Sequence, residues 1–140
     1  MREILSDRLW IANALQIRDI RNVLLCGVTA VVDLAMEEKP IVFPRDIVYV
    51  RMPITDGAGN PRAILKATWE LVAELIEAER PTAVACSAGM SRSPVIVAAA
   101  LAKVEKKPLK EVILRMAEMH PLDVSPALLQ DVMQPEPGTN

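Results

Sequence analysis

A short apolar strand runs directly into a cysteine, a loop of small residues, an arginine and an apolar helix. This segment reads TAVA over 82–85, CSAGMSR over 86–92 and SPVIVAAALA over 93–102. Cys86 therefore follows the carboxyl end of a predicted buried strand, where open α/β sheets place their ligands. A loop that feeds a helix N-terminus brings successive backbone N–H groups towards one point, and Gly89 supplies the conformational freedom for that curl. The segment predicts an α/β sheet with an anion-binding loop at its carboxyl edge.

Strands and helices alternate along the rest of the chain, which favours an α/β sheet covered by helices on both faces. Apolar pairs around a turn predict a small hairpin at the start of the chain, and β-branched runs predict two further buried strands. Helical spacing predicts the helices, and a cap residue followed by a proline, at Asn60–Pro61 and at Ser125–Pro126, marks the start of two of them. The predicted elements are a hairpin over 1–13, helices over 14–26, 61–79, 93–105, from 108 and over 126–133, and strands over 28–35, 47–52 and 82–85.

Composition limits the classes of protein to which the chain can belong. Its 140 residues suit one domain, which we expect over 1–133, with a flexible tail over 134–140. The 16 basic and 18 acidic residues do not favour a partner that is a nucleic acid or an anionic membrane. Two cysteines and one histidine are too few for a disulfide framework, a zinc site or a histidine triad, so we expect no metal or cofactor. The chain also shows no signal peptide and no apolar run that is long enough to span a membrane, which predicts a cytoplasmic protein.

Arg92 and Asp56 are the groups that complement a reactive cysteine. Amide dipoles and the guanidinium of Arg92 would stabilise a Cys86 thiolate, and the same guanidinium can bind phosphate oxygens as a bidentate fork. Asp56 follows the strand over 47–52, at the same predicted sheet edge, and Gly57 and Gly59 allow its loop to close. Asp56 is therefore the candidate proton donor. Its alternative role is to cap a turn, and the alternative for Cys86 is an inert buried thiol beside a surface arginine.

Four other residues have less specific roles. Ser93 opens the predicted helix and either assists departure of the Cys86 sulfur or caps the helix. Asp33 is expected to support the site from behind or to serve a turn, and its alternative role is that of the acid. His120 is expected to interact with a helix C-terminus or to lie at the surface, and Cys26 to be a core thiol.

The segment Cys86–Ser93 resembles the signature loop of the cysteine-dependent dual-specificity protein phosphatases, in particular the small atypical members of the protein tyrosine phosphatase superfamily. The segments LWIA (9–12), GVTAVVDL (27–34) and PITD (53–56) are similar to other parts of that family. The resemblance implies a three-layer α/β/α fold with a mostly parallel five-stranded sheet. It implies that Cys86 is the nucleophile, Arg92 the phosphate clamp, Asp56 the general acid and base, and Ser93 an aid to thiolate release. The phosphoryl oxygens would bind the amides of the phosphate loop, formed by Ser87, Ala88, Gly89, Met90, Ser91 and Arg92.

One residue departs from the family pattern. Ala85 stands where the family has a histidine that orients the loop and supports the thiolate, so Cys86 is expected to be less activated. Our leading interpretation is hydrolysis of a phosphomonoester on a phosphorylated protein, with inorganic phosphate or sulfate able to occupy the loop. The alternatives are a pseudophosphatase that binds phosphorylated partners, or a rhodanese-like sulfurtransferase.

Overall fold

The structure is a computed structural model that describes residues 1–44 and 46–134. Five strands form one sheet: β1 (Arg2–Leu5), β2 (Leu9–Ala12), β3 (Ala30–Ala35), β4 (Val48–Ile54) and β5 (Thr82–Ala85). The helices are α1 (Ala14–Arg18), α2 (Ile20–Leu25), α3 (Arg62–Glu77), α4 (Arg92–Glu105), α5 (Leu109–Met119) and α6 (Pro126–Met133).

The sheet order is β1-β2-β5-β3-β4, and every pair is parallel except the hairpin of β1 with β2. Ala85 at the end of β5 is paired with Ala12 of β2 on one side and with Asp33 of β3 on the other. The carboxyl ends of these three parallel strands therefore lie side by side. The segments that follow them meet at one edge of the sheet.

Helices cover both faces of the sheet, as a parallel sheet requires. The larger core packs α3, α4, α5 and α6 against one face, and ten consecutive residues of α4, over 92–101, are buried there. A smaller core on the other face includes Ile17 of α1 and Val23 of α2. The predicted three-layer α/β/α fold with a mostly parallel five-stranded sheet is therefore confirmed.

One predicted helix is broken and one predicted helix cap is absent, because the polar side chains concerned form other hydrogen bonds. The helix predicted over 14–26 is broken at Asp19, which has a ψ of 79° and accepts a hydrogen bond from Asn22 N, so that two short helices form. Asn60 does not cap α3, because its side chain bonds the backbone of Thr55 and Gly57. Ser125 does cap α6 as predicted, by accepting from Leu128 N.

The expected domain over 1–133 matches the span of the regular elements, which end at Met133, and it stays a prediction. Of the expected tail over 134–140, only Gln134 is described, and residues 135–140 lie outside the described residues. Within the described ranges, each helix is too short or too polar to cross a lipid bilayer.

Candidate active site

The loop over 86–92 connects β5 to α4 and holds the Cys86 sulfur at its base. Cys86 is 2% exposed, its N–H bonds Ala12 O at 3.3 Å, and Gly89 N donates to Cys86 Sγ at 3.2 Å. Gly89 has a φ of +72°, and a Cβ placed there would lie 3.1 Å from Ala12 O. Glycine is needed at this position for both its backbone conformation and the close approach of β2.

Residues outside the loop donate hydrogen bonds to three of its carbonyl groups, those of Ser87, Gly89 and Met90. Ser87 O accepts from Ala14 N at 3.1 Å, and Met90 O accepts from Asp123 N at 2.9 Å. Arg2 of β1 donates to Gly89 O, and also to Pro121 O at 2.7 Å. In contrast, five loop amides find no acceptor among the residues that the structure describes, namely those of Ser87, Ala88, Met90, Ser91 and Arg92. A run of unbonded N–H groups at the start of a helix is suited to an anion.

The Arg92 side chain is only 7% exposed and is held by two partners. Its Nη1 donates to Ile54 O at 3.0 Å and to Glu37 Oε2 at 2.9 Å, and its Nη2 donates to Glu37 Oε1 at 2.5 Å. A guanidinium has five N–H donors in a fixed plane. The two that remain, one on Nε and one on Nη2, lie on the same edge of that plane, so Arg92 keeps one bidentate fork for a further oxyanion.

Glu37 and Arg92 change each other's pKa: that of Glu37 is lowered and that of Arg92 is raised. The hydrogen bond from Arg92 is the main cause that lowers the Glu37 pKa from 4.5 to about 2. Burial alone would lower the pKa of Arg92, but the hydrogen bond and charge of Glu37 outweigh it, with smaller contributions from the charges of Cys86 and Asp56, so this pKa is raised. At neutral pH the pair is therefore fully ionised.

Glu37 is a site residue that the sequence analysis missed. The turn after β3 carries it to Arg92, and it also accepts a hydrogen bond from Ser87 Oγ. Arg51 of β4 holds that turn by donating to three carbonyl oxygens, those of Ala35, Met36 and Glu38. The available signal was its position, an acid two residues beyond a buried strand at the same sheet edge as Cys86.

Asp56 lies next to the loop, as predicted. It is exposed, and its Oδ1 accepts a hydrogen bond from Ser91 Oγ at 2.6 Å. The same Ser91 hydroxyl accepts from Ser125 N at 2.8 Å, so it joins Asp56 to the segment between α5 and α6. Asp33, in contrast, is buried within β3, where its carboxylate accepts hydrogen bonds from Tyr49 Oη at 2.6 Å and from Ala35 N at 3.2 Å, so it does not serve a turn.

The remaining candidates lie as follows. Ser93 Oγ is fully buried and has no hydrogen-bond partner in the described part of the chain, neither Cys86 Sγ nor a helix-capping amide. Ser91, not Ser93, occupies the cap position of α4. Cys26 is a free thiol that packs against the core on the opposite face of the sheet, and His120 ends α5. Over residues 1–44 and 46–134, no three His, Cys, Asp or Glu side chains are grouped as metal ligands.

The fold is similar to that of solved structures of dual-specificity phosphatases, so the predicted resemblance is confirmed at the level of the fold. The human protein DUSP28 is similar with a TM-score of 0.81 and 19% identity, over 94% of this chain and 92% of that one. The human tyrosine phosphatase-like serine/threonine/tyrosine-interacting protein is similar with a TM-score of 0.79 and 18% identity, over 94% and 92%. A mouse putative dual specificity phosphatase, complexed with zinc tungstate, has a TM-score of 0.77 and 19% identity, over 93% and 82%. No protein-family model and no curated protein matches the sequence.

Proposed function

We propose that this protein hydrolyses phosphomonoesters through a phosphocysteine intermediate on Cys86. The observation that carries the proposal is one short loop that holds the Cys86 sulfur at its start, a run of unbonded amides along it, and Arg92 with an open guanidinium edge at its end. Phosphoryl transfer depends mainly on stabilising charge on the three equatorial oxygens, and these donors are suited to that task. The fold shared with dual-specificity phosphatases supports the same conclusion.

The chemistry divides into two transfers. In the first, the Cys86 thiolate forms a bond to phosphorus while the ester P–O bond breaks, and Asp56 gives its proton to the leaving oxygen. In the second, water attacks phosphorus, Asp56 accepts a proton from that water, and the P–S bond breaks to release phosphate. Ser93 is assigned to donate to the departing thiolate, and its buried, unpartnered hydroxyl leaves it free to rotate towards the sulfur.

The substrate class that we assign is a phosphorylated protein, carrying phosphotyrosine or phosphoserine and phosphothreonine. The loop over 87–91 contains no lysine, so it offers no extra cation to a polyphosphorylated headgroup. Tungstate is a tetrahedral oxyanion like phosphate, and its presence with the mouse relative supports occupation of the loop by inorganic phosphate or sulfate.

Hydrolysis of p-nitrophenyl phosphate across pH 5–8 tests the mechanism. Cys86→Ser should abolish turnover and keep oxyanion binding, whereas Cys26→Ser, the matched control, should leave the rate unchanged. Arg92→Ala should lose both binding and turnover. Asp56→Asn should lower kcat by about 10²–10⁴-fold and flatten the basic limb of the pH profile. Full activity in Cys86→Ser would contradict the proposal, and acid quenching followed by mass spectrometry should detect the phosphorylated thiol in the wild type.

A phosphate-binding protein without turnover is the second candidate. Two observations favour it: Ala85 replaces the family's histidine, and a phosphatase-like interacting protein is among the similar structures. Wild-type protein that binds a phosphopeptide but forms no phosphocysteine would select this candidate. The third candidate, a rhodanese-like sulfurtransferase, predicts Cys86-dependent transfer of sulfur from thiosulfate to cyanide, and it gives Asp56 no role.

A further inference from the structure

An open cavity, of about 400 Å³, lies among the helices on the larger-core face of the sheet. Its walls come from α3, α4, α5 and α6, and they include Trp69, Ala99, Leu109 and Val132. No residue of the loop over 86–92 lines it, so it is separate from the candidate active site. The volume falls within the range of small-molecule sites, roughly 300–1,000 Å³.

Arg62 gives this cavity an unmet cationic donor. Its guanidinium carbon lies 5.6 Å from the centre of the Trp69 ring, and its Nη1 donates to Asp131 O at 3.0 Å. Its Nε is buried and has no hydrogen-bond partner in the part of the chain that the structure describes. Within the same ranges no carboxylate forms an ion pair with Arg62. A buried donor without an acceptor carries an energetic cost that an acceptor would remove.

The ligand that fits these walls has an anionic end and an apolar body. Because the Nε atom is buried, the Arg62 guanidinium must move slightly before a carboxylate in the cavity can accept a charge-assisted hydrogen bond from its Nε–H. An aromatic or aliphatic body can pack against Trp69, Ala99, Leu109 and Val132. We propose that the cavity binds a small apolar carboxylate and that the bound anion acts on the loop of Asp56.

A chain of two hydrogen bonds connects the cavity to that loop. Arg62 Nη1 bonds Asp131 O, and Asp131 Oδ2 accepts from Gly59 N at 3.3 Å. Gly59 is three residues from Asp56, and Asn60 closes the intervening turn by bonding Thr55 and Gly57. Movement of the Arg62 guanidinium towards a carboxylate therefore changes a contact that holds the end of the acid loop.

Titration with 2-naphthoate, followed by ¹H–¹⁵N NMR, tests the proposal. We expect a saturable shift of the Trp69 indole N–H, assigned with Trp69→Phe, and about tenfold weaker binding of the neutral 2-naphthamide. Arg62→Gln should remove the preference for the carboxylate. Arg21→Gln, which makes the same change in charge on α2, should keep it. Equal affinity for the two probes, or an unchanged preference in Arg62→Gln, would overturn the site.

Two further readouts complete the test. Binding of 2-naphthoate should shift the Gly59 amide resonance in the wild type and not in Asp131→Ala, whereas saturation without a Gly59 shift would overturn the link to the acid loop. A variant that ends at Gln134 should bind with unchanged affinity. Binding only to that shortened variant would show that the chain's own residues 135–140 fill the cavity, which would also overturn the proposal. Neither readout requires phosphatase activity, so failure here is distinct from failure of the proposed function.

Discussion

Arg92 is oriented by the protein before any oxyanion arrives. Glu37 and Ile54 together accept hydrogen bonds from three of its five N–H groups. The side chain is also buried, which limits competition from water for these three bonds. A side chain that is already fixed loses little conformational entropy when its remaining fork binds phosphate. Glu37 thus acts as a positioning residue, because it touches Arg92 and Ser87 and leaves one edge of the guanidinium open.

Glu37→Gln should weaken this orientation, because an amide offers one acceptor and brings an NH₂ group towards the guanidinium. We expect kcat/KM for p-nitrophenyl phosphate to fall about 10–10²-fold, with Glu38→Gln in the same turn as the control. The Glu37 pKa is lowered from 4.5 to about 2, so its stabilising contribution is full above pH 4.5 and is lost as the pH falls towards 2. The difference in Tm between wild type and Glu37→Gln should therefore shrink across pH 4.5–2, and a constant difference would contradict this assignment.

The phosphate loop is an element whose shape is set by its neighbours. β2 contacts Gly89, β1 supplies Arg2 to the Gly89 carbonyl, and the segment between α5 and α6 bonds Met90 and Ser91. These contacts engage the carbonyl groups of Gly89 and Met90 and the hydroxyl of Ser91, and they leave five loop amides without an acceptor among the described residues. A short loop rich in small residues would otherwise sample many conformations, so its order comes from tertiary contacts.

Gly89→Ala should therefore lower stability and oxyanion binding together. Its φ of +72° strains any other residue, and the new Cβ would press on Ala12 O at 3.1 Å. Gly27→Ala is the matched control, because Gly27 has a similar φ of +79° and nothing within 4 Å. Urea unfolding should show a loss of about 1 kcal/mol for Gly27→Ala and about 2–3 kcal/mol for Gly89→Ala. Only Gly89→Ala should weaken phosphate binding, and equal losses of stability in the two variants would show that the contact with β2 carries no cost.

Across the whole molecule, local patterns in the sequence were enough to predict the layers of the fold. They did not predict the contacts between residues that are far apart in the sequence. β5 and the cap of α6 are found at the predicted residues, because apolar runs and cap signals act within a few positions. The break at Asp19 was not predicted, because a helical apolar pattern runs through it. The neighbouring positions of Cys86, Arg92 and Asp56 were predictable because the motif and the parallel strands bring them to one sheet edge, and their catalytic roles stay predictions. Glu37 is 55 positions from Arg92, and no local pattern marks that pairing.

An oxyanion that fills the loop should stabilise the entire fold, since unfolded chain cannot bind it. At a tungstate concentration about 100 times Kd the gain is about 2.7 kcal/mol, which for a chain of this size raises Tm by roughly 10 °C. Cys86→Ser should show a comparable rise, and Arg92→Ala should show little. Sodium chloride at equal ionic strength is the control, and a rise of the same size in Arg92→Ala would place the bound anion elsewhere.

The hydrogen bonds that complete the loop come from both ends of the described chain, Arg2 on one side and Asp123 and Ser125 on the other. During synthesis on the ribosome, Met90 and Ser91 emerge well before their partners Asp123 and Ser125. A nascent chain that has only just exposed this loop lacks the backbone N–H of Asp123 that bonds Met90 O and the backbone N–H of Ser125 that bonds the Ser91 hydroxyl. Anion binding by the loop should consequently arise abruptly, when α5 and α6 have left the exit tunnel and docked.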